Sequence, residues 1–231
     1  MSFENNENKI IRKIVVQCAK RKITAPTLFF DNAAVKFHSK TDISQNIFTP
    51  WSTVPETSQT WIDAVREYNE SFLLPANTSI HNASELTNAA DLYYHHAYRD
   101  LSKRFGYKSI FVLSAGWGLV QGDTKIPTYD ITFSTANKDC RIKPSERVKY
   151  DSILLDAGTC DELHLFITQE YLEYWNLFFS KRFQSAKKVI LHWRKGQKPP
   201  PFGEYSIIEH DCGKRRTTWQ YTAIRQFLER D

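Results

Sequence analysis

The sequence has few of the residues that build disulfide frameworks, zinc sites or membrane spans. Its four cysteines, Cys18, Cys140, Cys160 and Cys212, are scattered through 231 residues and form no C-x-x-C pair. This spacing is typical of free thiols in a reducing cytosol and argues against a disulfide framework. No apolar run is long enough to cross a bilayer, and the polar start MSFENNENK predicts no signal peptide. We therefore expect a cytoplasmic protein without membrane association.

Signatures of nucleotide-dependent enzymes are also missing. Gly116, Gly118 and Gly122 have the spacing G-x-G-x-x-x-G, which differs from the G-x-G-x-x-G of dinucleotide sites. No Walker lysine is present. These absences argue against nucleotide-dependent chemistry, and we expect no cofactor.

Positive charge is concentrated toward the end of the chain. The net charge is +5, yet residues 181–231 hold twelve lysines and arginines against five acidic residues. A basic end on a near-neutral body favours a polyanion partner such as DNA, although solvated surface charge gives the same pattern. The residues that we expect to contact DNA are Arg194, Lys195, Lys198, Lys214, Arg215 and Arg216.

Apolar runs alternate with helical patterns along the chain. Strands are predicted at 10–16, 110–113, 163–167, 189–192 and 205–208, and helices at 61–72, 84–105, 146–155, 169–182 and 218–230. This alternation predicts a single α/β domain over 1–231, with a mostly parallel sheet and helices on both faces. Residues 24–58, rich in Pro, Ser and Thr, are interpreted as a long irregular excursion.

A metal site receives little support. Asp91 and His95 are four residues apart on the predicted helix 84–105, a spacing that metal ligands can use. No third ligand has a suitable spacing, so we predict no metal.

The stretch 109–134 is the most informative part of the sequence. Its apolar run at 110–113 predicts a strand buried on both faces, and three of the chain's eight glycines follow within seven residues. Open α/β sheets bind ligands in such loops at the carboxyl ends of their strands. A tight turn into an irregular connection gives the same pattern. We interpret the loop as a candidate ligand site that also carries Asp123 and Asp130.

The first predicted strand also ends in functional residue types. It runs into Gln17-Cys18-Ala19-Lys20-Arg21-Lys22. The carboxyl ends of parallel strands share one sheet edge, so we expect Lys20 and Lys22 near the glycine-rich loop, where they can pair with phosphate. A solvated loop remains the alternative.

Three separated segments resemble the YaaA-like group of bacterial proteins. They are V-V-Q-C-A-K-R-K, A-D-L-Y, and F-V-L-S-A-G-W-G-L-V-Q-G-D followed by I-P-T-Y-D, and they occur in the order found in that group. The resemblance covers residues 15–22, 89–93 and 113–132. It implies an α/β fold related to the uracil-DNA-glycosylase-like architecture and an association with DNA and DNA damage. YaaA proteins carry a helix-hairpin-helix element that is not evident here, so the basic C-terminal third would have to bind DNA instead.

These observations lead to a DNA glycosylase hypothesis, in which the N-glycosidic bond of a modified nucleobase is cleaved to leave an abasic site. The reaction needs a carboxylate beside the developing sugar cation, donors for the departing base and a ring on which the extruded base stacks. Asp130 is the first candidate carboxylate and Asp123 the second, while His192 can polarise the base. The candidate substrate-binding residues are Cys18, Lys20, Lys22, Ser114, Gly116, Trp117, Gly118 and Tyr129.

Two other functions remain open. A non-catalytic protein that protects DNA or senses its damage would use the basic C-terminal third equally well. An enzyme acting on free nucleosides would need no basic face. A glycosylase that acts against modified phage DNA is a biological setting compatible with the first hypothesis.

Overall fold

The computed structural model describes residues 10–23, 25–73, 79–150, 159–180, 186–198, 204–213 and 218–230. In these ranges the strands are β1 (Arg12–Gln17), β2 (Phe29–Phe30), β3 (Ala33–Ala34), β4 (Lys36–Phe37), β5 (Ile47–Phe48), β6 (Ile80–His81), β7 (Thr87–Asn88), β8 (Ile110–Ser114), β9 (Gly118–Gln121), β10 (Lys125–Ile126), β11 (Cys160–Phe166), β12 (Ala186–Arg194) and β13 (Ser206–His210). The α-helices are α1 (Trp61–Ser71), α2 (Ala97–Phe105), α3 (Pro144–Arg147), α4 (Gln169–Tyr174) and α5 (Trp219–Arg230). A π-helical turn, Trp175–Phe179, continues α4.

A six-stranded sheet forms the centre of the described residues, in the order β13-β12-β11-β1-β8-β9. Neighbouring strands from β13 to β8 are parallel, and only β9 pairs antiparallel, with β8. In β1, Ile14, Val15 and Val16 are all buried. Successive buried residues face opposite sides of a sheet, so this run is covered on both faces, as is typical of parallel sheets. The predicted α/β class and mainly parallel sheet are confirmed.

The glycine-rich stretch forms a β-hairpin, which the sequence analysis did not predict. Ser114 at the end of β8 pairs with Gly118 at the start of β9, and the chain reverses through residues 115–117. Gly118 has φ of 80°, a backbone conformation that side chains disfavour. The hairpin places β9 at the sheet edge, and the segment carrying Asp130 therefore starts beyond that edge.

The predicted helix 84–105 is wrong over its first half, because α2 begins only at Ala97. The backbone N–H groups of Ala89 and Ala90 donate to Thr124 O and Gly122 O, so the earlier residues pair with the chain after the hairpin. Tertiary hydrogen bonding thus overrides a helical spacing of apolar residues.

The other helices were predicted more closely. Helices α1 and α5 match the predictions to within a residue at each end. Helix α3 ends at Arg147, so the predicted helix 146–155 is wrong over 148–150, and its residues 151–155 lie outside the described residues. The excursion contains only two-residue strands and one short 3-10 turn among its described residues. No helix in the described ranges combines the length and apolar character needed to span a bilayer.

Candidate active site

A cleft lies at the carboxyl ends of β1 and β11. Its wider part has a volume of about 580 Å³ and its narrower part about 180 Å³. Both parts are lined by Cys18, Lys20 and Tyr171, so they are continuous. Lys22 and Asp130 line the narrower part, which we call the inner cavity. The sheet edge expected to carry a ligand site therefore has a cleft with charged side chains.

Backbone pairing fixes the loop that carries the two lysines. The N–H of Cys18 donates to Leu113 O at 2.9 Å, which continues the β1–β8 pairing one residue beyond the strand. Lys22 forms a bridge with Tyr93, and Ile23 N donates to Leu92 O at 2.9 Å. Both ends of this loop are held, so the lysines are positioned by the backbone.

Asp130 reaches the inner cavity from a different part of the chain. Its backbone N–H donates to Phe37 O at 2.8 Å, and it bridges His38, so the excursion positions it. Burial raises the pKa of the nearby Cys140 thiol, and the Asp130 carboxylate raises it further. The structure brings Asp130, Lys20 and Lys22 together as expected, but Asp130 comes from the chain after the hairpin rather than directly from a parallel strand.

Lys22 is the less solvated of the two lysines. Its Nζ donates to Lys20 O at 3.3 Å and lies 4.5 Å from the centre of the Tyr129 ring. Burial lowers the pKa of Lys22, and the nearby Cys18 and Asp130 oppose that effect. A desolvated amine beside a carboxylate carries a larger neutral fraction at neutral pH than an exposed lysine does.

Buried tyrosines form the floor beneath this amine. The hydroxyls of Tyr93 and Tyr129 are 2.7 Å apart, and the hydroxyl of Tyr171 lies 3.0 Å from Cys18 Sγ. Burial raises the pKa of all three phenols well above the usual value. They stay neutral at physiological pH and act as hydrogen-bonding groups rather than as bases.

The glycine-rich turn is not the open ligand loop that the sequence suggested. Ser114, Gly116, Trp117 and Gly118 lie in a fully buried segment, and none of them lines the cleft. Ser114 Oγ accepts the N–H groups of Gly116 and Trp117 at 3.1 and 2.9 Å, so these donors are already paired. A Cβ at Gly116 would lie 2.9 Å from Cδ2 of Tyr129. Gly116 is therefore needed so that the Tyr129 ring can pack against this turn. Tyr129 belongs to the buried floor of the cleft and is not a ring on which an extruded base stacks.

Arg147 holds this turn in place, a role that sequence reasoning missed. It is completely buried, and its guanidinium donates to Ala115 O at 3.0 Å and to Gly116 O at 2.9 Å. Its Nη1 donates to Tyr150 O at 3.1 Å. In sequence it is an ordinary arginine of a predicted helix, so no local signal identifies it.

Asp123 lies apart from Asp130. It lines a separate surface cavity of about 330 Å³ with Arg66, Asn69 and Lys125. The intervening residues include β10, which pairs with β7 and carries the chain away from that cavity. The two candidate carboxylates therefore do not belong to one site.

His192 is also remote from the cleft and belongs to a chain of buried histidines. His192 Nε2 is 2.9 Å from His164 Nδ1, and His192 Nδ1 is 2.8 Å from His210 Nε2. The chain continues from His164 to Glu162 at 3.4 Å and from His210 to Gln226 Oε1 at 2.8 Å. The imidazole has partners on both nitrogens and faces no ligand space, so its predicted catalytic role is corrected to a structural one.

The hydrogen bonds of this histidine chain need one more proton than three neutral imidazoles carry. Glu162 and Gln226 Oε1 are acceptors at its two ends, so its four hydrogen bonds need four N–H groups where three neutral imidazoles supply three. Burial lowers the pKa of His192 and His210, and neighbouring Arg230 acts in the same direction. With three neutral rings, one of the four contacts carries no proton, and the contact from His164 to Glu162 is the longest at 3.4 Å.

The wider part of the cleft has rings and amides that the sequence did not highlight. Arg21 lies 3.7 Å from the centre of the exposed Tyr94 ring, and the His95 and Tyr221 rings stack at 3.7 Å. Gln17 Oε1 accepts the Thr168 N–H at 2.6 Å. The position of Gln17 directly after the predicted strand 10–16 could have signalled it, whereas those of Tyr171 in α4 and Tyr221 in α5 could not.

The predicted DNA-contacting residues fall into two groups. Lys195 and Lys198 are exposed in the turn after β12, and Gln197 of that turn lines the wider cleft. Arg194 donates to Gly213 O at 3.3 Å. Lys214, Arg215 and Arg216 lie outside the described residues.

The pair Asp91 and His95 does not lie on one helix face. Tyr107 donates to the Asp91 carboxylate at 2.9 Å, while His95 stacks on Tyr221. Within the described ranges, no group of three or more His, Cys, Asp or Glu side chains is arranged to hold a metal ion.

The chain matches no protein-family model and no curated protein. The resemblance to the YaaA-like group thus remains an expectation based on three segments. The assignment of a function has to depend on the geometry of the cleft.

The histidine chain predicts acid sensitivity of the fold. The pKa of His192 and of His210 is lowered in the folded state, so below the ordinary histidine pKa of about 6.5 the unfolded chain binds more protons. Their contribution to stability is complete above that pH and is lost as the pH falls. We expect the free energy of unfolding in urea to decrease from pH 7.5 to 5.5.

The variant His192→Gln isolates one of these groups. It should be less stable at pH 7.5, and its stability should depend less on pH, by at most about 1.4 kcal/mol per pH unit for one proton. A wild-type stability that is flat over this range, or an unchanged slope in the variant, would contradict the assignment.

Proposed function

We propose that this protein is a DNA glycosylase that removes a modified nucleobase and leaves an abasic site. The observation that carries the proposal is the meeting of Asp130 with Lys20 and Lys22 in one cavity at the carboxyl edge of the sheet. A carboxylate and cations at one point suit a reaction in which a sugar becomes positively charged beside phosphates. The proposal includes the uracil-DNA-glycosylase-like architecture, for which the mainly parallel sheet is supporting but coarser evidence.

Asp130 is the proposed catalytic carboxylate. Its exposed side chain faces the cavity. A fixed negative charge there stabilises an oxocarbenium ion or orients the water that adds to C1′. Lys20 is placed to pair with a phosphate beside the reacting nucleotide.

The cleft surroundings suit an extended nucleic acid. Tyr94 at the rim offers an exposed ring, with Arg21 stacked on it. Lys195 and Lys198 project from the turn that borders the same cleft. Rings beside cations are the combination that binds unstacked nucleotides and their backbone.

Asp130→Asn tests the catalytic assignment. The amide keeps the shape of this exposed side chain, so the variant should fold and bind DNA. Removing a positioned acid–base group typically lowers the rate by about 100- to 10,000-fold. The measurement is abasic-site formation on duplexes with modified bases, alongside thermal melting and a binding titration.

Asp123→Asn is the matched control, because Asp123 lies in a separate cavity. It should retain wild-type activity. Full activity of Asp130→Asn would remove Asp130 from the mechanism. Absence of abasic sites with the wild type on every modified duplex would favour a non-catalytic DNA-binding protein, and base release from free nucleosides alone would favour a nucleosidase.

The position of the basic turn predicts a salt-dependence effect. Each phosphate contact contributes about −0.9 to the slope of log K against log salt on duplex DNA. Replacing Lys195 and Lys198 by Ala together should weaken binding and make the slope shallower by up to about 1.8. Fluorescence anisotropy titrations at several salt concentrations measure this slope.

Lys187 and Lys188 provide a control with the same charge change. They are exposed at the amino end of β12, the opposite end from the basic turn. Their double Ala variant should leave the slope unchanged. Equal effects of the two double variants would show that net charge, rather than the cleft edge, governs binding.

A further inference from the structure

Lys22 has properties that its role as a phosphate partner does not require. An exposed lysine such as Lys20 is sufficient to pair with phosphate, and solvation keeps such an amine charged. Lys22 instead extends over the buried Tyr129 ring, with its Nζ 4.5 Å from the ring centre. The neighbouring phenols are neutral, and the inner cavity is small, at about 180 Å³. Burial disfavours an ammonium group at this position, whereas the face of the Tyr129 ring favours one.

We propose that Lys22 is a nucleophile that forms an imine with the sugar aldehyde produced when the base leaves, which makes the protein a DNA lyase as well as a glycosylase. This inference rests on the proposed function for the source of the aldehyde, but its chemistry requires only an abasic site. The inner cavity supplies an amine and a carboxylate to the same carbon centre. Lysines activated by desolvation are the usual source of such imines.

The covalent step balances without a redox partner. The neutral Lys22 amine attacks C1′ of the ring-opened sugar, a C–N bond forms, and the aldehyde oxygen leaves as water. The iminium group makes the C2′ proton acidic, and Asp130 lies in the same cavity to accept it. The C3′–O bond to phosphate then breaks with its electron pair on oxygen, and water releases the lysine.

The surroundings of Lys22 favour the reactive state. Burial lowers the pKa of this amine, whereas Cys18, Asp130 and Cys140 raise it and Lys20 lowers it. Its backbone is held by the bridge to Tyr93, so the amine needs only side-chain rotation to reach the cavity. The hydrogen bond to Lys20 O, at 3.3 Å, is long and leaves the nitrogen available.

The test uses the full chain and a duplex with a preformed abasic site, so it does not depend on base specificity. Borohydride reduces an imine to a stable amine, which links protein and DNA. We expect a trapped complex with the wild type, and peptide mapping by mass spectrometry should locate the link at Lys22. Base release from modified duplexes, measured separately, reports on the glycosylase proposal alone.

Matched arginine variants provide the second measurement. Lys22→Arg keeps the positive charge but cannot form the imine, so trapping and strand scission should be abolished while DNA binding persists. Lys188→Arg, at the amino end of β12 and away from the cleft, should trap as the wild type does. No trapped wild-type complex, a link mapped to another amine, or equal trapping by Lys22→Arg would overturn the inference, whatever the base-release assay shows.

Discussion

Hydrogen bonding of β1 on both edges is the constraint on which the rest of the structure depends. Val15 pairs with Leu165 of β11 on one side and with Phe111 of β8 on the other. Because all three strands are parallel, their carboxyl ends lie at one edge of the sheet. The loop after β1 therefore has to leave the sheet at its centre, where the flanking strands and the excursion close around it. The cleft follows from this geometry, and its lysines are placed by backbone pairing rather than by contacts with each other.

The sheet and the placement of Lys20 and Lys22 at its carboxyl edge were accessible from sequence for a simple reason. Buried parallel strands are continuous apolar runs, and residues that directly follow them share an edge. Asp130 reaches the same cavity by another route, because it comes after the hairpin and its backbone pairs with Phe37 of the excursion. Features set by long-range pairing were not accessible. The apolar residues of 84–96 have helical spacing, but backbone N–H groups in this segment donate to the chain after the hairpin. Arg147 has no local sequence feature that distinguishes it from a surface arginine. The glycines were correctly identified as special: Gly118 has φ of 80°, Gly116 packs closely on Tyr129, and Gly122 packs closely on the backbone of Tyr107, while none of them lines the cleft.

The interior contains two groups of buried polar side chains, the histidine chain and the phenols beneath the cleft, and burial acts differently on the charge of each. The histidine chain crosses β11, β12 and β13, ends on Glu162 and Gln226, and is closed to ligands. Such a fully paired network specifies strand register and resists protonation. The phenols of Tyr93, Tyr129 and Tyr171 beneath the cleft instead stay neutral, because burial raises their pKa. A neutral polar floor strengthens electrostatic interactions between the few charges above it, since no mobile water or counterion screens them from below.

The distances along the chain between the groups of the cleft have a consequence for folding. Cys18 and Tyr171, whose side chains are in contact, are 153 residues apart, and Asp130 is positioned by Phe37 of the excursion. Contacts of this kind form late, because the loop-closure entropy must be overcome before they are gained. The cleft is therefore absent from a nascent chain until the residues of α4 have been synthesised. The surroundings that activate the Lys22 amine form only with the complete fold. In partly folded chains the amine is therefore not activated, and cellular aldehydes do not meet it in its reactive form.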